Sequence, residues 1–308
     1  MYFCSKKLQS AMEYLMTYGW AILIIAVVLG ALFQLGIFNA STFTPKAPPG
    51  SCHVFRPNGP YTTSFINTQG ICNGELPQYV ANFNTAQSSN LEINSLPGIS
   101  TLSNVGASGK ITITAWGSSA DVNSRRGILT YGKNTAGCCW FSIDTGTNCA
   151  GSGALFEAWS AGFYAAQCVG AVSRNTYAFY AVTLDGTTFN FYFGDGGSLS
   201  TKSMSAPTSS TIPAASTLFA SGFGFNGDGV NYWNGQIANV QVYNTTLSAN
   251  EITALYNEGI GGAPVQLNNL VGWWPLNGDV KDYSGNNNNF VPTGISFTSS
   301  WAQAYTAP

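Results

Sequence analysis

Hydrophobic positions fall into two regimes along the chain. Residues 21–38, AILIIAVVLGALFQLGIF, form one apolar run of eighteen residues without a charge. From position 79 onward the pattern breaks into short stretches rich in aromatic and β-branched residues, separated by clusters of Gly, Asn, Asp and Ser. The first regime predicts a helix that, at 1.5 Å per residue, reaches about 27 Å, close to the hydrocarbon thickness of a bilayer. The second predicts strands over 79–83, 111–116, 127–131, 140–143, 178–184, 189–193, 217–225 and 235–243. Asp185-Gly186, Gly196-Gly197 and Asn226-Gly227 mark turns between them, and the hairpin around Asp185-Gly186 carries the strongest local signal. Many short strands without intervening helices predict an all-β, antiparallel sandwich or barrel.

One helix stands apart near the end. Ser248-Ala249-Asn250-Glu251 is a capping box, Ile252, Leu255 and Tyr256 form one apolar stripe, and Gly259 is a C-terminal stop. Between the two regimes, Pro45, Pro48, Pro49, Pro57 and Pro60 with Gly50 and Gly59 give an extended linker. The expected organisation is a signal and hydrophobic helix over 1–38, a Pro-rich stalk over 39–78 and a sandwich over 79–308.

Composition sharpens this picture. Charged residues are 8% of the chain and hydrophobic residues 45%, so the helix-favouring Lys, Glu and Arg are scarce. The net charge is −2 and the basic residues are scattered, which excludes a nucleic-acid partner. Lys6 and Lys7 precede the apolar run and the next lysine is Lys46; Tyr18 and Trp20 sit at its edge. This places the N-terminus in the cytoplasm and the remainder outside, as a single-pass cell-surface protein.

Cys4 precedes the run and leaves six cysteines beyond it: Cys52, Cys72, Cys138, Cys139, Cys149 and Cys168. An even set on the far side of a membrane reads as disulfides. Cys52 and Cys72 bracket nineteen residues and are expected to pair first, contributing about 3 kcal/mol. Cys138 and Cys139, adjacent on a strand, point to opposite faces and need different partners; the connectivity stays open. A zinc site lacks ligands, since His53 is the one histidine and no CxxC pair exists. Asn39-Ala40-Ser41 and Asn244-Thr245-Thr246 are glycosylation sequons if the compartment uses them.

Residues 6–14, KKLQSAMEY, together with the apolar run, resemble the class III signal of archaeal type IV pilins and archaellins. The resemblance implies cleavage between Leu8 and Gln9, although that family usually has Gly or Ala where this chain has Leu8. Glu13 becomes the fifth mature residue. Its carboxylate, costly if unpaired in an apolar setting, would neutralise the new amine of a neighbouring subunit and set the stagger of a bundle. A membrane and a homo-oligomeric pilus are the partners this implies.

The stretch 234–244 and the helix after it resemble the closing strand and helix of laminin-G-like jelly rolls, in the concanavalin A-like lectin/glucanase superfamily. Residues 270–278, LVGWWPLNG, and 282–286, DYSGN, resemble that family's opening segment, here out of order, and 79–93 resembles its next strand pair. Either the last segment completes the same sandwich or it opens a second, truncated domain. Completion is favoured because about 40 residues rarely bury a core alone.

The resemblance implies glycan or surface-protein ligands bound at one rim or the concave face, sometimes with calcium. Trp159, Phe163, Tyr164, Tyr232 and Trp233 lie in Gly-rich contexts suited to stacking on sugars, against the ordinary role of core packing. Asn226 with Asp228, and Asp282 with Asn286, offer oxygen ligands for Ca2+, against ordinary turn chemistry. Retaining glycoside hydrolysis needs two carboxyls about 5 Å apart. The superfamily's hydrolases commonly carry them as Glu-x-Asp-x-x-Glu on one strand. No such run occurs, and Glu75, Glu92, Glu157, Glu251 and Glu258 are isolated in sequence. The expectation is therefore a non-enzymatic surface adhesin. A structural filament or envelope subunit is the alternative, and a membrane-tethered glycoside hydrolase a weaker one.

Overall fold

The computed structural model describes residues 16, 18–30, 52–55, 67–70, 77–92, 110–131, 141–146, 149, 153–160, 163–206, 222–224, 231–306 and 308. The chain divides into a unit over 1–49 and a unit over 50–308. In the first, residues 18–30 are helical and exposed. Among the described residues no helix is long and apolar enough to cross a membrane. Of the spanning helix expected over 21–38, residues 21–30 are helical and 31–38 lie outside the described residues. Leu8, Gln9 and Glu13 lie outside the described residues.

In the second unit, β1 (Cys52–Phe55) and β2 (Asn67–Gly70) pair as a separate antiparallel ribbon. The remaining strands are β3 (Val80–Phe83), β4 (Asn90–Glu92), β5 (Lys110–Ser119), β6 (Arg126–Tyr131), β7 (Phe141–Gly146) and β8 (Gly153–Ser160). Then follow β9 (Phe163–Ala171), β10 (Tyr177–Asp185), β11 (Thr188–Gly194), β12 (Ser200–Ser205), β13 (Gly222–Phe223) and β14 (Gly235–Tyr243). After α1 (Ala249–Glu258) come β15 (Leu270–Trp274), β16 (Val291–Thr293) and β17 (Ser296–Thr298). They form two antiparallel sheets, one ordered β12-β11-β10-β5-β14-β3-β17 with β15 also on β14, the other β16-β4-β13-β6-β7-β8-β9.

Side-chain alternation explains the layering. On β10, Ala178, Tyr180, Val182 and Leu184 enter the core between the sheets, while Tyr177, Phe179 and Ala181 enter a second cluster on the outer face. That outer face is apolar because α1 covers it. Ser248 Oγ accepts the Glu251 N–H at 3.3 Å, and Glu251 Oε2 accepts the Ser248 N–H at 2.8 Å, closing the capping box. Ile252, Leu255 and Tyr256 are buried, with Tyr256 stacked on Trp116 at 5.9 Å between ring centroids. Gly259 ends the helix at φ 78°, and a Cβ there would run into the Tyr305 hydroxyl.

On β14 the alternation slips. Asn239, at φ 47°, sits in a bulge against β5, so Val240 and Val242 face the core while Asn239 turns to the outer face. There its Nδ2 donates to the Gly262 carbonyl and its Oδ1 accepts from Trp273 Nε1, both at 2.8 Å.

The last segment completes this sandwich. β15 pairs β14, β16 pairs β4 and β17 pairs β3, so the 291–298 segment gives one strand to each sheet. One disulfide is present among the described residues, Cys149–Cys168, with Cα atoms 5.5 Å apart. The expected Cys52–Cys72 bridge and the side chains of Cys138 and Cys139 fall outside the described residues.

Candidate functional site

With one outer face closed by α1, the polar side chains of the other sheet draw attention. Phe141, Ile143, Phe156 and Ala158 point into the core. Their strand neighbours Ser142, Asp144 and Glu157 therefore point the other way. Thr130 is paired with Ser142 and Ser142 with Glu157, making one row across three strands; Asp144 and Leu155 are paired in the next. Asp144 is 0% exposed and Glu157 1%.

Buried carboxylates are costly unless paired and hydrogen-bonded. Arg125 meets that need for both. Its Nε and Nη2 each lie 2.9 Å from Asp144 Oδ2, and Nη2 also pairs with Glu157 Oε2. Ser142 Oγ donates to Asp144 Oδ2 at 3.3 Å. The Arg125 side chain is itself 28% exposed, so it is the part of this cluster that reaches solvent.

The local sequence sets this arrangement. Asp121 Oδ1 accepts the N–H groups of Asn123 and Ser124, both at 3.2 Å, folding residues 120–125 into a tight turn. Asp121 Oδ2 accepts from Arg126 Nε at 3.1 Å and Nη2 at 2.9 Å, turning Arg126 back while Arg125 runs forward to the acids. Burial works to raise the Asp121 pKa, but hydrogen bonds from Arg126 and Ser124 and the Arg126 charge outweigh it. The carboxyl is held below its usual range.

Other connections gather at this rim. The Gly127 N–H donates to Asn231 O at 2.9 Å, Ala120 N–H to Asn234 O at 2.7 Å and Asn175 N–H to Ser119 O at 2.7 Å. Residues 120–125, 172–176 and 231–234 are thus neighbours, with half-buried Tyr232 among them. Cys149, in the connection from β7 to β8, is at the same end and is tied to β9 through Cys168.

The sequence-predicted residues are divided by this geometry. Tyr232 lies at the rim. Trp233 does not serve a ligand surface: it is 0% exposed, donates from Nε1 to Gln236 O at 3.3 Å, and packs edge-on against Tyr180. The ligand-stacking role expected of Trp233 is corrected, because its Gly-rich flanks mimic a loop while its ring fills the core. Trp159 and Tyr164 face each other in register at the far end of the β8–β9 hairpin, the opposite rim, and their side chains fall outside the described residues. Phe163 opens the same hairpin strand. Asn226 and Asp228 also lie outside the described residues.

Asp282 and Asn286 do not fit a calcium ion. Asp282 Oδ1 accepts the N–H groups of Trp273 and Ser284, and Oδ2 accepts Ser284 Oγ and the Asn288 N–H, at 2.8–3.0 Å. Asn286 Nδ2 donates to the carbonyls of Leu270 and Val271. The two residues clasp the loop to β15 instead. Among the described residues no group of three or more His, Cys, Asp or Glu side chains could hold a metal.

Sequence reasoning missed Arg125, Ser142 and Asp144. The available signal was Ser142-Ile143-Asp144, a polar alternation inside a strand whose other face is aromatic. Glu157, isolated in sequence, is joined to Asp144 in space by one guanidinium.

A family model described as Laminin_G_3, concanavalin A-like lectin/glucanases superfamily, matches residues 94–253, just over half of the chain. No curated protein matches it. Among solved structures, the CBM40 of a Ruminococcus gnavus IT-sialidase is 17% identical with a TM-score of 0.42, covering 54% of this chain and 90% of that one. The enzymatically active domain of tailspike protein 2 from bacteriophage CBA120 is 13% identical with a TM-score of 0.49, covering 78% and 35%. A Bacteroides ovatus protein, provisionally described as carbohydrate-binding, is 15% identical with a TM-score of 0.48, covering 82% and 70%.

The expectation that the chain is not an enzyme is corrected. Asp144 and Glu157, distant in sequence, meet on one guanidinium, so the missing Glu-x-Asp-x-x-Glu run on a single strand does not exclude activity. At these identities the likenesses concern the fold and assign this chain no reaction.

Proposed function

Because the chain belongs to the Laminin_G_3 family of the concanavalin A-like lectin/glucanases superfamily, we propose that its sandwich is a glycan-recognition module displayed at a cell surface. The observation that carries the reading is Arg125, fixed by two buried carboxylates at the rim where three connections meet. A guanidinium already held in place offers donors to sugar oxygens with little further loss of side-chain freedom. Tyr232, half-buried on the neighbouring 231–234 connection, is the aromatic candidate for packing against a sugar ring.

Display outside the cell draws on two features. The Cys149–Cys168 disulfide suits an oxidising compartment. Trp20, Ile22, Leu23, Ile24, Ile25, Val27, Val28 and Leu29 are exposed around the N-terminal helix, and a helix that is apolar on all sides calls for lipid or a bundle of its own kind. Processing between Leu8 and Gln9, with Glu13 pairing in the bundle, belongs to the same reading.

A glycan array probed with the full chain, with Arg125→Lys and with Tyr232→Ala tests it. Arg125→Lys keeps the charge but loses the fork, and is expected to weaken binding at least tenfold while melting stays within a few degrees of wild type. Equal binding by wild type and Arg125→Lys removes this rim as the site. A second reading, a structural filament or envelope subunit, draws on the same exposed apolar helix. It is favoured if wild type binds no glycan and negative-stain images show filaments that Glu13→Ala abolishes.

A further inference from the structure

We infer that Asn244 is an N-glycosylation acceptor, modified before its turn folds; this rests on the export half of the proposal above. Asn244 follows the last residue of β14 and opens the turn into α1. It is exposed, its N–H donates to Asn269 O at 3.0 Å, and among the described residues its side-chain amide has no hydrogen-bond partner. Thr245 and Thr246 complete the Asn-X-Thr acceptor pattern.

The folded turn engages the rest of that pattern. Thr246 Oγ1 donates to the Leu184 carbonyl, Thr112 Oγ1 donates to the Thr245 carbonyl at 2.8 Å, and the Leu247 N–H donates to Thr112 Oγ1 at 2.9 Å. A transferase needs the threonine hydroxyl and a pliable backbone, and folding ties up both. The amide itself is left pointing to solvent, so a sugar already attached displaces no packed side chain. Folding thus closes the acceptor while accommodating the product.

In the reaction, Asn244 Nδ2 forms a bond to the anomeric carbon of a lipid-phosphate-linked oligosaccharide. The bond from that carbon to the phosphate oxygen breaks, the lipid phosphate leaves, and the amide gives up one proton to the transferase. No electrons are exchanged. β14 starts at the Arg125 rim and ends one residue before Asn244, roughly 30 Å away at about 3.3 Å per residue, so the modification leaves the proposed ligand rim uncovered.

Mass spectrometry of the chain purified from its own cells tests the site. The expected result is an oligosaccharide mass on the peptide holding Asn244, lost in Asn244→Gln and Thr246→Ala and kept in Thr246→Ser. Full chain synthesised alongside glycosylating membranes should be modified at least tenfold more than folded chain added afterwards; equal modification overturns the order of events. Exported chain with bare Asn244 overturns the site and leaves glycan recognition standing. Chain retained in the cytosol overturns both the export reading and the site, and a modified chain that binds no glycan overturns recognition alone.

Discussion

Arg125 and Glu258 hold charge away from water in opposite ways. Arg125 spans two carboxylates, so Arg125→Ala leaves both buried without it and is expected to cost about 3–5 kcal/mol, read by urea unfolding. Glu258 lies in the last turn of α1, where no basic side chain offsets the negative end of the helix dipole. Burial pushes its carboxyl up to about 7, against one hydrogen bond from the Ala263 N–H. Its folded pKa is above the unfolded 4.5, so the folded state is favoured while the group is protonated. That stability is full below about pH 4.5 and is lost as the pH rises through about 7. Thermal melts should show Glu258→Gln more stable than wild type at pH 8 and indistinguishable from it at pH 4.5.

Individual elements differ in how plainly the chain announces them. The hairpin of β10 and β11 was legible because Asp185-Gly186 prescribes the turn, and Asp185 Oδ1 does accept the Thr187 and Thr188 N–H groups. Helix α1 was legible from its box and stripe, and Ser248→Ala is expected to lose about 1 kcal/mol in denaturant titrations. The Arg125 cluster was not legible. Arg125 meets Glu157 at a separation of 32 residues, and that meeting depends on the register of three strands. Trp233 was misplaced for a related reason: local composition marks a turn, but only tertiary packing decides where the ring goes. The disulfide now assigned closes 19 positions, and Cys149→Ser is expected to remove about 3 kcal/mol, matched by wild type under reducing conditions.

At the scale of the whole molecule, the order of strands in space departs from their order in the chain. Trp274 is fully buried, with its Nε1 donating to Asn288 O at 2.8 Å, so Trp274→Ala is expected to cost about 3–5 kcal/mol in the same titration. Tyr79 N–H donates to Asn277 Oδ1 across 198 positions, Ser89 Oγ to Gly294 O across 205, and Asn82 Nδ2 to Ser296 Oγ across 214. At 5–20 residues per second, a ribosome needs about 10–40 s to deliver the second member of each pair after the first. During that interval each sheet lacks one of its two edge strands, β17 in one and β16 in the other, and the sandwich stays open along that side.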